Sequence, residues 1–328
     1  MRGYEDHMKK PEIKKAAVLG GGMIGSSWAT NFLWKGIPVH IYDVSDDALK
    51  TARGRILGNM KYLVGKDILT KEKMNVALSL AKYTTDIGDA VKDVQFIQES
   101  VLEYYDVKQA LLAEVDEYAA KDAIFASSTS GLLITEIAKD SKYPQRCIGA
   151  HPYNPPHLIP LVEINKGQKT AEETVKRTCS FYKSIGKEPI VLKKEALGFI
   201  ANRLAMGLYR EAVDLVVRGV CSVEDVDKAV CFGPGLRYAL MGPNLIYQLG
   251  GGPHGIKGLL KHVEPSVELW WEDMAVWKKW PPGWAETAQE GVNKEMSNRA
   301  PEQGRTTEEI TRWRDDGLIE ILKFMKKL

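Results

Sequence analysis

Cysteine is scarce here: Cys147, Cys179, Cys221 and Cys231 stand singly among apolar neighbours in 328 residues. The close pairs that metal sites and redox motifs require are missing, and the four read as reduced core thiols. No apolar run reaches the length of a membrane span, and charge of neither sign accumulates, the formal net charge being +2. Without a basic stripe interleaved with aromatics, neither a membrane nor nucleic acid is an expected partner. Residues 1–12 lack the apolar core of a secretory signal, so a cytoplasmic location is expected. Internal repeats and low-complexity segments are missing too, and the lysines gathered toward both ends fit solvated helix faces. What remains is an ordinary globular composition, 44% hydrophobic and 27% charged, in a chain long enough for two cores.

Against this background one segment carries information. The apolar run Ala17-Val18-Leu19 leads into Gly20-Gly21-Gly22-Met23-Ile24-Gly25, a G-x-G-x-x-G turn that opens a helix reaching about residue 35. Gly20 suits the tight turn, Gly22 lets backbone approach a pyrophosphate, and Gly25 lets helix and strand pack closely. The helix then directs its first amides, those of Met23 and Ile24 included, at the phosphates. A second apolar run, Val39-His40-Ile41-Tyr42, ends at Asp43, whose carboxylate suits the adenosine ribose hydroxyls and repels a 2′-phosphate. Residues 44–47 contain no Arg, so the expected cofactor is NAD rather than NADP.

Hydrophobic periodicity places helices over residues 46–63 and 71–81 as a hairpin, then strands at 94–97, 123–126, 147–150, 161–164 and 189–192 with helices between them. Beyond residue 194 the strand signal fades, and a long helix over 197–218 is followed by Ser222 with Asp225 three residues on, a capping-box pattern. The predicted fold is α/β, a Rossmann-like, doubly wound, mostly parallel sheet with an inserted helical hairpin, followed by a smaller all-α domain. The expected boundaries are 1–193 for an NAD-binding domain and 194–328 for an α-helical substrate and dimerisation domain.

Two stretches at the carboxyl ends of predicted parallel strands look chemical: Ser127-Ser128-Thr129-Ser130-Gly131 and His151-Pro152-Tyr153-Asn154-Pro155-Pro156. A histidine in a proline-stiffened loop suits proton transfer, and Glu163 in an apolar strand needs a buried partner, which His151 supplies. Taken alone, each is as well explained by structure: a loop histidine, a serine-rich cap.

Together with the fingerprint, these residues resemble the 3-hydroxyacyl-CoA dehydrogenase superfamily from residue 13 to about 323. The resemblance rests on Gly20 to Gly25, Asp43, Glu99-Ser100-Val101-Leu102-Glu103 with Lys108, the Ser-Thr-Ser turn, His151-Pro-x-Asn-Pro, Glu163 and Gly198-Phe199-Ile200-Ala201-Asn202-Arg203. It implies an NAD-dependent dehydrogenase in which His151 is the general base and Glu163 its orienting carboxylate. It further implies that Ser130, Asn154 and Asn202 bind substrate oxygen or nicotinamide carboxamide, and that Glu103 and Lys108 lie near the nicotinamide ribose. A solvated helix ion pair explains the last two equally well.

The segment from Gly233 to Pro243, with Arg237 inside it, is longer than the corresponding turn of the acyl-CoA branch. It looks like the free-acid branch that holds L-carnitine dehydrogenase and λ-crystallin, the latter resembling L-gulonate 3-dehydrogenase. Arg237 would then clamp a substrate carboxylate; an interdomain or intersubunit salt bridge is the other reading. Trp270, Trp271, Trp277, Trp280 and Trp284 suit a core or dimer interface better than a cage for a trimethylammonium group. Asn59 and Lys66 match positions for coenzyme A, though a helix end accounts for Lys66. The substrate is expected to be a small hydroxy acid, with an acyl-CoA as the enzyme alternative and a crystallin-like structural protein as the non-enzyme one. A homodimer is implied by the same resemblance.

Overall fold

Eight short strands build one sheet in the computed structural model, which describes residues 13–328. The stretch 1–12, considered above for a signal core, lies outside the described residues. The strands are β1 (Ala16–Leu19), β2 (Val39–Tyr42), β3 (Ala81–Thr84), β4 (Phe96–Glu99), β5 (Ile124–Ser127), β6 (Cys147–Pro152), β7 (Leu161–Lys166) and β8 (Glu188–Val191). Their order is β3-β2-β1-β4-β5-β6-β7-β8, parallel throughout except between β6 and β7. Helices α1 (Met23–Trp34), α2 (Asp46–Gly65), α3 (Lys71–Ser79), α4 (Ile87–Val91), α5 (Tyr105–Tyr118), α6 (Ile134–Ile137) and α7 (Glu172–Ser184) fill the connections.

Alternation along the central strands β1, β4 and β5, buried throughout, supplies both faces with apolar side chains, as a doubly wound sheet needs. Phe96 points to one side, into a cluster with Trp28, Phe32, Phe181 and Tyr182, where its ring lies 4.5 Å from that of Phe181. Its neighbour Ile97 points to the other, among Leu111, Leu112, Val115, Phe125 and Ile134. The helical hairpin, α2 and α3, forms the crossover from β2 to β3. That strand, Ala-Lys-Tyr-Thr, was not expected from its sequence, because it lies at a sheet edge and none of its residues is fully buried.

After β8 the chain is helical: α8 (Ala201–Val217), α9 (Val223–Phe232), α10 (Pro234–Tyr238), α11 (Pro243–Gly250), α12 (Gly255–Asp273), α13 (Trp284–Asn298) and α14 (Thr307–Phe324). The expected capping box is present at Ser222 and Asp225. Two compact units divide between Asn202 and Arg203 rather than between 193 and 194. Residues 195–202 stay with the first unit because Glu195 accepts hydrogen bonds from Thr135, Glu163 from the amides of Ile200 and Ala201, and Asn202 donates to Ser130.

All four cysteines are free, but only Cys147 is a core thiol, and burial pushes its pKa up to about 12. Cys179 falls beside the buried stripe of α7, and Cys231 is exposed on α9, a helix without a buried residue. No helix among the described residues is long and apolar enough to cross a membrane.

Candidate active site

The glycine turn begins where β1 ends. Gly20 takes φ +94°, and a Cβ there would stand 2.7 Å from the Ser100 carbonyl oxygen. A Cβ on Gly25 would stand 1.8 Å from the Gly20 carbonyl, so any side chain would pry the helix from the strand. Around Gly22, by contrast, a Cβ would meet nothing within 4 Å, and no side chain caps α1. The first amides of Met23 and Ile24 thus face open space that a pyrophosphate would fill. Asp43 stands at the end of β2 beside this turn, accepting from Gly21 N at 2.7 Å and Val44 N at 2.8 Å. These residues fit the phosphates and adenosine ribose of NAD. Arg55 joins them from α2, its guanidinium 3.5 Å from the Gly21 carbonyl oxygen; sequence reading missed it because it follows Asp43 by a full helical stretch.

At the ends of β4 and β5 a second polar network forms. Glu99 is fully buried, accepting from Ser127 Oγ at 2.5 Å, Lys108 Nζ at 2.7 Å and Val101 N at 2.8 Å. Lys108 is buried as well and reaches Glu103 at 3.2 Å, which excludes a solvated helix pair. Glu103 in turn accepts from Thr129 Oγ1 at 2.6 Å and Ser130 N at 2.7 Å, and the Ser130 carbonyl accepts from Asn202 Nδ2 at 2.9 Å. Ser130, Glu103, Lys108 and Asn202 are therefore one connected set. Glu99 and Thr129 complete it; their burial was the signal, and it is not visible along the chain.

His151 lies in β6 rather than in a loop, directly across the antiparallel register from Glu163 of β7. Its Nδ1 is 2.8 Å from Glu163 Oε2, while Oε1 accepts from Ile200 N at 2.9 Å and Ala201 N at 3.0 Å. Burial pushes the Glu163 carboxyl up, yet the His151 hydrogen bond and the two amides outweigh it and hold the pKa below the ordinary value. The carboxylate is therefore ionised and orients the ring through Nδ1, leaving Nε2 as the outward nitrogen. Phe199, buried at φ 50°, packs its ring 5.4 Å from the imidazole. A left-handed, non-glycine backbone costs on the order of 1–3 kcal/mol, here set against that contact.

The segment after β6 is fastened to α1. Ser27 Oγ accepts from His157 N at 2.9 Å and lies 2.7 Å from its Nδ1, while buried Lys187 donates to the carbonyls of Pro156 and Ile159. Asn154 Nδ2 comes within 3.9 Å of Met23 Sδ, so Asn154 stands beside the first turn of α1. Asn59 is a structural residue here, donating to Thr30 Oγ1 at 3.1 Å, and Lys66 lies 5.7 Å from the Tyr62 ring. Arg237 is on α10 of the second unit, exposed. Of the tryptophans, Trp270, Trp271 and Trp280 are exposed, Trp277 is half-buried and Trp284 is nearly buried. Among the described residues no three His, Cys, Asp or Glu side chains gather as metal ligands.

Residues 15–196 match the model of the 3-hydroxyacyl-CoA dehydrogenase NAD-binding domain, and residues 198–281 that of its C-terminal domain. The chain is 37% identical to an L-carnitine dehydrogenase of Bacillus cereus (strain ZK / E33L), over 98% of this chain and 95% of that protein. It is 36% identical to a 3-hydroxyacyl-CoA dehydrogenase of Gibberella moniliformis, covering 97% of this chain and 96% of the other. Among solved structures, an NAD+-dependent 5-formyl-3-hydroxy-2-methylpyridine 4-carboxylic acid 5-dehydrogenase superposes with a TM-score of 0.78 at 30% identity, covering 96% and 98% of the two chains.

Proposed function

Because this chain belongs to the 3-hydroxyacyl-CoA dehydrogenase family and is an NAD-dependent dehydrogenase, we propose that it oxidises a small free L-3-hydroxycarboxylate, L-carnitine-like, to the 3-keto acid. The observation that carries the chemistry is the 2.8 Å contact of His151 with buried Glu163. His151 accepts the substrate hydroxyl proton at Nε2, and Glu163 stabilises the imidazolium that results. Ser130, Asn154 and Asn202 position the reacting oxygen or the carboxamide, and Glu103 and Lys108 the nicotinamide ribose. NAD, when bound, supplies the hydride acceptor.

A free acid is favoured over a thioester by similarity to L-carnitine dehydrogenases and to a pyridine carboxylic acid dehydrogenase. In this reading Arg237 pairs with the substrate carboxylate. Arg237→Met should then cost about 2 kcal/mol, roughly 30-fold in kcat/KM, on free acids, with NAD affinity unchanged. Rates of NADH formation with L-carnitine, gulonate, 3-hydroxybutyrate and 3-hydroxybutyryl-CoA provide the test. Strong preference for the thioester, or a variant equal to wild type on free acids, rejects the free-carboxylate reading.

The second unit is the dimerisation surface in this proposal. Its helices leave Phe232, Leu236, Leu249 and Leu269 more than 60% exposed, apolar side chains that a second copy would cover in this reading. Light scattering that finds a monomer at micromolar concentration would reject a homodimer. Four free thiols suit a reducing compartment, and the proposed location is cytoplasmic.

A further inference from the structure

The second unit has a cleft of about 480 Å³ between one face of α8 and the loop that joins α12 to α13. Arg203 and Arg210, seven residues apart on α8, stand on one side, with Lys278 and Lys279 on the other. Trp277 and Trp280 complete the lining, their ring centroids 5.9 Å apart and their planes inclined by 50°, an open wedge. Trp277 is fixed by its Nε1, which donates to Asp214 Oδ1 at 3.2 Å; Trp280 is 57% exposed.

Charge decides what fits. Four cations line the cleft, no Asp or Glu does, and within the described second unit none of the four has a carboxylate partner. Two acids of α8 stand beside the lining and are already engaged: Asp214 by Trp277 and, at 3.4 Å, by Arg218, and Glu211 by Ala275 N at 3.0 Å. A quaternary ammonium would meet four like charges and no carboxylate within the lining, so these tryptophans are not a cage for one. An anion without a ring would neutralise the cations and leave the indole faces wet; a neutral ring would do the reverse. Only a ligand with both parts uses both halves of the lining, and the volume lies in the range of small-molecule sites.

We propose that this cleft binds a planar aromatic carboxylate, its ring against Trp280 and its carboxylate between the arginines and lysines. The inference rests on the second unit alone and does not require the Arg237 reading.

Calorimetric titration of the full-length protein at low ionic strength, with benzoate as the probe, tests it. Benzoate should bind, and the double change Lys278→Glu and Lys279→Glu, in an exposed loop, should weaken it at least about tenfold. Trp280→Ala should also weaken it severalfold, with NAD affinity unchanged in both variants. Benzyl alcohol and tetramethylammonium should not bind. No benzoate binding, binding that neither variant alters, or inorganic phosphate or tetramethylammonium held as tightly as benzoate would overturn the proposal.

Discussion

Glu163→Gln preserves shape and removes charge, and its consequence follows from counting donors. In the wild type three donors meet two acceptor oxygens: His151 on Oε2, and the amides of Ile200 and Ala201 on Oε1. Glutamine has one acceptor oxygen, so its NH₂ must face either the two amides, donor against donor, or the imidazole. Facing the imidazole is the lesser cost, and it turns Nδ1 into an acceptor. The neutral ring then carries its proton on Nε2, where the substrate proton has to go. The variant also loses the charge that stabilises the imidazolium, an attraction of about 4 kcal/mol for unit charges 4 Å apart at an effective dielectric of 20. Allowing for what solvent and the remaining hydrogen bonds recover, a loss of about 3 kcal/mol is expected, on the order of 100-fold in kcat. NAD affinity should hardly change. Steady-state rates of NADH formation, beside NAD titrations and His151→Gln as a reference, measure both. Turnover within about threefold of wild type would refute the tautomer argument and with it the proposed dyad.

Asp43→Ala should weaken NAD binding and narrow discrimination against NADP, since the carboxylate both braces Gly21 and repels a 2′-phosphate; unchanged kcat/KM ratios for the two cofactors would dismiss this role. Lys108→Met leaves Glu99 buried without its counter-charge, a loss of about 3–5 kcal/mol that urea titration would reveal, and near-wild-type stability would contradict the pairing. Burial, with the charge of Lys35 adding to it, lowers the Lys187 pKa from 10.5 to about 7. Between these values the unfolded chain binds more protons, so stability rises with pH across that window. Lys187→Met should flatten the rise between about pH 7 and 9, and identical pH profiles for variant and wild type would count against it.

Nearest neighbours in the chain settled the first half of the molecule's character. The turn from Gly20 to Gly25 is legible because each glycine answers a backbone demand within a few residues, and Asp43 follows at the end of the next strand. The capping box at Ser222 and the alternation of strands and helices are local in the same way. The pairing of His151 with Glu163 was legible too, since a buried acid needs a partner, but its geometry was not. Only the antiparallel turn of β7 against an otherwise parallel sheet sets the two residues opposite each other, which takes His151 from an expected loop into a strand. β3 escaped because a half-exposed edge strand carries no strong pattern, and Cys231 because helical spacing does not say which face is covered. Burial of Glu99 and Lys108, the left-handed Phe199 and the four-cation cleft join residues that only folding brings together. Such features depend on register and depth, quantities that tertiary packing alone decides.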